Sequence, residues 1–215
     1  MRSFLDQEFV SLDKELLYMG AKVERSIESA VLAFCNKDIN KANETIALES
    51  EIENMGKHIE SLCVNLLLRF QPVASDLHRL SALLRMINDI ERIGVQASEI
   101  ASLVIHLCNT DDGYILSSLV HMASDASEMV KKSLVSYIKQ DIELAHNVIA
   151  DDDKVDEHFV SIRSDIINMI IKRPEMAEAE IDLMMICKYL EKIGDHATSI
   201  ARWVIYSITG EKEDK

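Results

Sequence analysis

The sequence predicts an all-α protein: a tandem pair of similar three-helix bundles, six long antiparallel helices in total. Three observations carry this reading. Only six Gly and two Pro occur among 215 residues, and 5% of the chain is aromatic, a composition suited to helices. Apolar residues recur at steps of three and four over stretches much longer than a strand. The segment Asp89–Ile105 also returns one hundred residues later as Tyr189–Ile205, without a gap. Glu91, Ile93, Gly94, Ala97, Ile100, Ala101, Val104 and Ile105 reappear as Glu191, Ile193, Gly194, Ala197, Ile200, Ala201, Val204 and Ile205. A duplication of this kind assigns residues 1–110 to one half and 111–215 to the other, each running up-down-up.

The first helix covers about residues 3–36, with Leu5, Phe9, Leu12, Leu16, Met19, Val23, Ile27, Ala30 and Phe34 on one seam. Asp38 caps the second helix, whose seam is Ala42, Ile46, Glu49, Ile52, Gly56, Ile59, Cys63, Leu66 and Phe70. Glu49 therefore stands where a core residue belongs. Pro72 ends this helix by removing a donor and restricting Gln71, and a third helix begins near Ala74 or Ser75 and runs to about Asn109. Thr110-Asp111-Asp112-Gly113, short and polar, is the linker. The fourth helix, about 114–139, turns Leu119, Met122, Ala126, Met129 and Leu134 inward. Gln140-Asp141 restarts the chain as Lys37-Asp38 did, and the fifth helix carries Ala145, Ile149, Asp152, Val155, Phe159, Ile162, Ile166 and Met169. Pro174 closes it. The sixth, about 175–209, buries a stripe of Ile186, Leu190, Ile193, Ala197, Ile200 and Val204.

A formal net charge of −14 argues against duplex nucleic acid and against anionic membrane surfaces as partners. The first residues lack the apolar centre of a signal peptide, and no stretch reaches the ~18 uninterrupted apolar residues of a spanning helix. A cytosolic location is expected. Cys35, Cys63, Cys108 and Cys187 form no C-x-x-C and fall on or beside apolar stripes, so they are read as reduced, buried small hydrophobes.

The chemistry resides in carboxylates. Glu191 and Asp195 are four apart, one turn above the other on one helix face, flanking the apolar stripe. Asp152 and Asp156 on the fifth helix, and Glu49 and Glu53 on the second, are further acid-x-x-x-acid pairs, aligned with each other at an offset of 103 residues. Counted outward from the proline turn, Asp156 lies 17 residues before Arg173 and Glu191 15 after Met176; Asp152 lies 21 before and Asp195 19 after. At about 1.5 Å per residue these levels agree to half a turn. Asp152, Asp156, Glu191 and Asp195 are therefore expected to cluster on one seam, where half-buried like charges need protons or a hard, oxygen-liganded cation. The alternative is a solvated rim in which the acids pair with Lys188, Lys192 or Arg163. In the first half Glu49, Glu53 and Glu91 remain, but Val95 stands in the fourth position, and the site is weakened.

Other functions fare worse. A ferritin-like di-iron oxidase needs two Glu-x-x-His pairs, and only Glu143-Leu144-Ala145-His146 fits. No Walker loop, Gly-rich dinucleotide turn or nucleophilic constellation occurs, so the chain reads as a non-enzyme. His196, next to Asp195, is read first as a hydrogen-bonded packing residue and second as an added ligand. A metal-free helical adaptor, with the acids as docking contacts, remains open.

At these residues the chain resembles the PhoU family. Leu67-Leu68-Arg69-Phe70-Gln71-Pro72-Val73-Ala74-Ser75-Asp76-Leu77, followed by Ile90-Glu91-Arg92-Ile93-Gly94, is similar to the family's P-x-A-x-D-L-R…L-E-R-I-G-D signature. Leu190-Glu191-Lys192-Ile193-Gly194-Asp195-His196-Ala197 resembles its second copy. Two positions depart: Val95 replaces an Asp, and His78 stands where the family usually has Arg, with Arg79 following. The resemblance implies two three-helix bundles, multinuclear iron or zinc held by acid-x-x-x-acid motifs, and homodimers. It also implies a regulator that binds a phosphate transporter ATPase subunit and a sensor histidine kinase and restrains uptake when phosphate is plentiful. Exposed apolar residues on the long helices, such as Trp203 and Tyr206 late in the last one, are the expected self-association surface.

Overall fold

The structure, a computed structural model, describes residues 2–108 and 117–212. Six α-helices run through them: α1 (Arg2–Asn36), α2 (Ile39–Phe70), α3 (Ala74–Cys108), α4 (Ser117–Lys139), α5 (Ile142–Lys172) and α6 (Ala177–Thr209). The boundary expected between residues 110 and 111, the 110–113 linker and the first residues expected of the fourth helix lie outside the described residues.

The duplicated turns repeat in backbone detail. Asp38 Oδ1 accepts from the Lys41 N–H at 3.1 Å, and Asp141 Oδ1 accepts from the Leu144 N–H at 2.9 Å, each satisfying a donor that a helix start would leave unpaired. The residue before each cap, Lys37 (φ 51°) or Gln140 (φ 53°), is left-handed. The two proline turns differ. At Pro72, α2 stops on left-handed Gln71 (φ 45°). At Pro174 the chain enters a single 3-10 turn over Pro174–Met176, so α6 starts at Ala177 rather than at 175.

Each half is a three-helix bundle, and the halves meet most extensively along α3 and α6, with a second seam between α1 and α4. The α3–α6 seam is antiparallel and pseudo-symmetric. Asp89 Oδ2 accepts from the Ser199 hydroxyl at 2.8 Å, and at the position related by the repeat Glu99 faces Tyr189. His196 Nδ1 lies 2.9 Å from Asp89 Oδ1, so the motif histidine joins the halves rather than a ligand cluster. Arg79 fastens the α1–α4 seam. It donates to both Asp13 oxygens at 2.7 and 2.9 Å, reaches the fully buried Tyr137 hydroxyl at 3.4 Å and stacks over Phe9 at 4.5 Å. Burial pushes the Tyr137 phenol up to about 12.

Trp203 and Tyr206 do not form the open apolar face expected of them. Both are half-buried: Tyr206 packs on His78 at 5.4 Å and edge-on to Trp203 at 5.7 Å, while Lys212 and Arg85 lie 5.0 and 6.0 Å from the indole. The antiparallel return of α6 along α3 brings its last turns onto the first turns of α3, which covers them. The most exposed large apolar side chains, Leu68 at 75% and Ile171 at 71%, lie elsewhere, at the turns of the α2–α3 and α5–α6 hairpins, and others are spread along α1. All four cysteines are free thiols; Cys63 and Cys187 are buried, which pushes both up to about 12, and Cys35 and Cys108 are half-buried.

Candidate metal centre

In the second half the acids come from facing turns of α5 and α6. Asp152 rests against Gly194, where a Cβ would lie 3.2 Å from its Oδ1; the glycine of the repeated motif is what lets the α5 carboxylate approach α6. Burial raises the Asp152 carboxyl first, the charges of Asp156 and Asp195 raise it further, and Thr198 and Arg202 hold it back only in part, leaving it at about 6. Asp152, Asp156 and Asp195 therefore share one electrostatic neighbourhood, as the levels counted from the proline turn require. Glu191, the fourth acid, is engaged otherwise: Lys188 donates to its two oxygens at 2.5 and 2.6 Å while lying over the Phe159 ring at 5.4 Å.

In the first half Glu49, Glu53 and Glu91 line a single cleft of about 330 Å³ together with Asn88, Arg92 and Val95. Glu91 folds over Gly56, so close that a Cβ there would collide with its carboxylate. Burial, then Glu60 and Glu53, push Glu91 above the usual carboxylate range, while Lys57 and Arg92 pull it down. Lys57 Nζ takes Glu53 at 2.6 Å, an exposed pair of small energetic weight.

The halves thus differ in complementary ways. The repeat aligns Gly56 with Phe159 and Asn88 with Lys188. Space and a neutral neighbour leave Glu91 facing the first cleft, whereas an aromatic ring and an ammonium hold Glu191 in the second. The sequence carries this signal at Gly56, Asn88 and Lys188, of which only Lys188 enters the reading of the acids, as one of their possible pairing partners.

Among the described residues, no three His, Cys, Asp or Glu side chains stand together as a ready-made ligand set. The chemistry nevertheless fits a cation: two carboxylates, Asp156 and Asp195, beside the half-buried Asp152, whose charge Thr198 and Arg202 offset only in part, with oxygen donors only. Glu143 and His146, the lone Glu-x-x-His, both lie on the exposed side of α5.

A model of the PhoU domain matches the chain twice, over residues 16–104 and 119–204. The chain belongs to the PhoU family. The phosphate-specific transport system accessory protein PhoU homolog of Clostridium acetobutylicum is 30% identical over 214 residues, covering 99% of this chain and 98% of that one. The homologue of the same description from Pseudomonas aeruginosa is 31% identical over 94% of this chain and 84% of its own. The crystal structure of PhoU from Pseudomonas aeruginosa superposes with a TM-score of 0.92 at 30% identity, covering 96% of this chain and 99% of that one. The tandem three-helix fold is therefore the PhoU fold, and the relatives are accessory proteins of a phosphate transport system. No helix among the described residues is long and apolar enough to cross a membrane.

Proposed function

We propose that this PhoU-family protein is a metal-binding regulator of phosphate uptake and phosphate-responsive signalling, conveying the state of a phosphate transporter to a sensor histidine kinase and restraining uptake when phosphate is plentiful. The observation that carries the reading is the two-copy family match spread over nearly the whole chain, together with relatives described as accessory proteins of phosphate-specific transport. A regulator of this kind needs helical faces rather than a catalytic pocket.

Asp152, Asp156 and Asp195, with Glu191 released from Lys188, are the residues that would hold iron or zinc in the second half; Glu49, Glu53 and Glu91 are the weaker set in the first. Such a cation supplies charge neutralisation and cross-linking of α5 to α6. Asp195 and His196 are consecutive, one facing the carboxylates and the other bonded to Asp89 across the halves, so the order of this turn of α6 bears on how the halves are joined. A specific observation favours a metal-free adaptor as second reading: Lys188 and Lys57 already neutralise Glu191 and Glu53.

Deleting the gene, together with any paralogue, should derepress phosphate-uptake genes in phosphate-rich medium; unchanged expression rejects the regulatory role. Metal analysis of untagged protein separates the two readings, since an adaptor purifies without iron or zinc. Static light scattering over a wide concentration range tests the homodimer.

A further inference from the structure

The α1–α4 seam is closed at one end and open at the other. At the closed end Leu134 presses on Gly20, where a Cβ would come within 2.4 Å of its Cδ1, and Arg79 ties Asp13 to Tyr137. The caps Asp38 and Asp141 relate α1 to α4 at an offset of 103 residues, which makes Ala123 and Val31 the counterparts of Gly20 and Leu134. A methyl group replaces a hydrogen and a valine replaces a leucine, so the same close seating is not available there. Toward that end the two helices border a groove of about 710 Å³.

Its inner wall is apolar. Ile27 and Ala123 are fully buried, Val31 and Val120 half-buried, and Leu32 is 47% exposed at the lip. Its edges are acidic: Glu24, Glu28, Asp125 and Glu128 line it against a single ammonium, Lys131. Glu24 sits above the usual carboxylate range through burial first, with Lys131 opposing and Glu28 and Glu128 reinforcing the shift. From Val120 to Lys131 the groove follows α4 for about 16 Å, roughly three helical turns, a helix-sized length rather than that of a compact ligand. An apolar trough with charged edges matches an amphipathic helix, and the sign of those edges selects a basic one. A second copy of this chain, at net charge −14, is the electrostatically poorer occupant.

We propose that the α1–α4 groove is a docking site for a basic amphipathic helix of a protein partner, which lays its apolar face along Ile27, Val31 and Val120 and sets lysines or arginines against Glu24, Glu28, Asp125 and Glu128. The groove shares no residue with the carboxylate groups of α2–α3 and α5–α6. Its test is therefore independent of metal.

The probe is a fluorescent amphipathic helical peptide of leucine and lysine, titrated with the full-length protein and followed by anisotropy. Its scrambled isomer and a leucine-glutamate version serve as controls. Two double variants carry the same change in net charge: Glu28→Lys with Glu128→Lys in the groove, and Glu143→Lys with Asp165→Lys on the exposed side of α5. All four positions are exposed, and thermal unfolding checks that each variant folds. The groove variant should weaken binding by roughly tenfold or more, the α5 variant by less than about twofold, and Leu32→Asp should weaken it at high salt as well as low. The scrambled and acidic peptides should bind at least about tenfold more weakly. Equal losses in the two charge variants, or equal binding of the scrambled peptide, would overturn the proposal. So would a peptide-free dimer that the groove variant dissociates, since a second copy would then be the occupant.

Discussion

Asp152→Asn removes one charge at nearly constant size from the most strained carboxylate of the candidate centre. The folded-state carboxyl titrates at about 6, against roughly 3.9 for an unfolded aspartate. The folded chain therefore binds more protons between these values, so stability falls as pH rises through about 4 to 6 and the full penalty stands above about pH 7. A shift of about two units corresponds to at most ~3 kcal/mol; because the side chain is partly in water, about 1–2 kcal/mol is the appropriate figure. For a chain of this size that is roughly 3–6 °C in melting temperature. In chelator at pH 8 the variant should melt higher than wild type by that amount. At about pH 3, where aspartate is protonated in the folded and the unfolded chain alike, the difference should vanish. Zinc or iron at about 100 times its dissociation constant should stabilise wild type by ~2.7 kcal/mol and the variant much less, reversing the order. Circular dichroism melts at two pH values, with and without chelator, decide it. A variant that melts at or below wild type in chelator at pH 8 refutes the charge-strain argument.

Three further outcomes are expected. Val95→Asp completes the acid-x-x-x-acid pair beside Glu91 in the cleft with Glu49 and should raise metal per chain, whereas Asp195→Ala should remove most of it and Glu49→Ala less; equal metal in all variants by elemental analysis rejects the assignment. Arg79→Met leaves Asp13 and buried Tyr137 without their partner and should cost about 2–4 kcal/mol in urea unfolding, far more than Lys57→Met, which breaks an exposed pair. Asp89→Ala strips His196 and Ser199 of a shared acceptor and should cost about 1–3 kcal/mol, with hydrogen exchange accelerating along the α3–α6 seam before the α1–α2 contact.

The sequence by itself determined the helices, their caps, the duplication and the family. These depend on local periodicity and local backbone chemistry: a 3.6-residue stripe, an aspartate bonding the amide three residues on, a proline that cannot donate. It also placed Asp152, Asp156 and Asp195 at one level, because helical rise converts residue counts into heights. Tertiary structure alone decided what each side chain does at that level. Lys188, one turn before Glu191 on the same helix, is the one of its offered partners that takes it, lying over Phe159 of α5, while Gly56 of α2 leaves room for Glu91; Phe159 and Gly56 are neighbours one helix away. The same holds where His196 finds Asp89 and Arg79 finds Asp13 and Tyr137, contacts that exist only because the halves pack antiparallel. Trp203 and Tyr206 looked exposed because their own helix continues past the apolar stripe; the start of α3, more than one hundred residues earlier, is what covers them. Periodicity tells a helix which face to bury, and only the partner helix determines which polar groups at the edge of that face are left to meet one another.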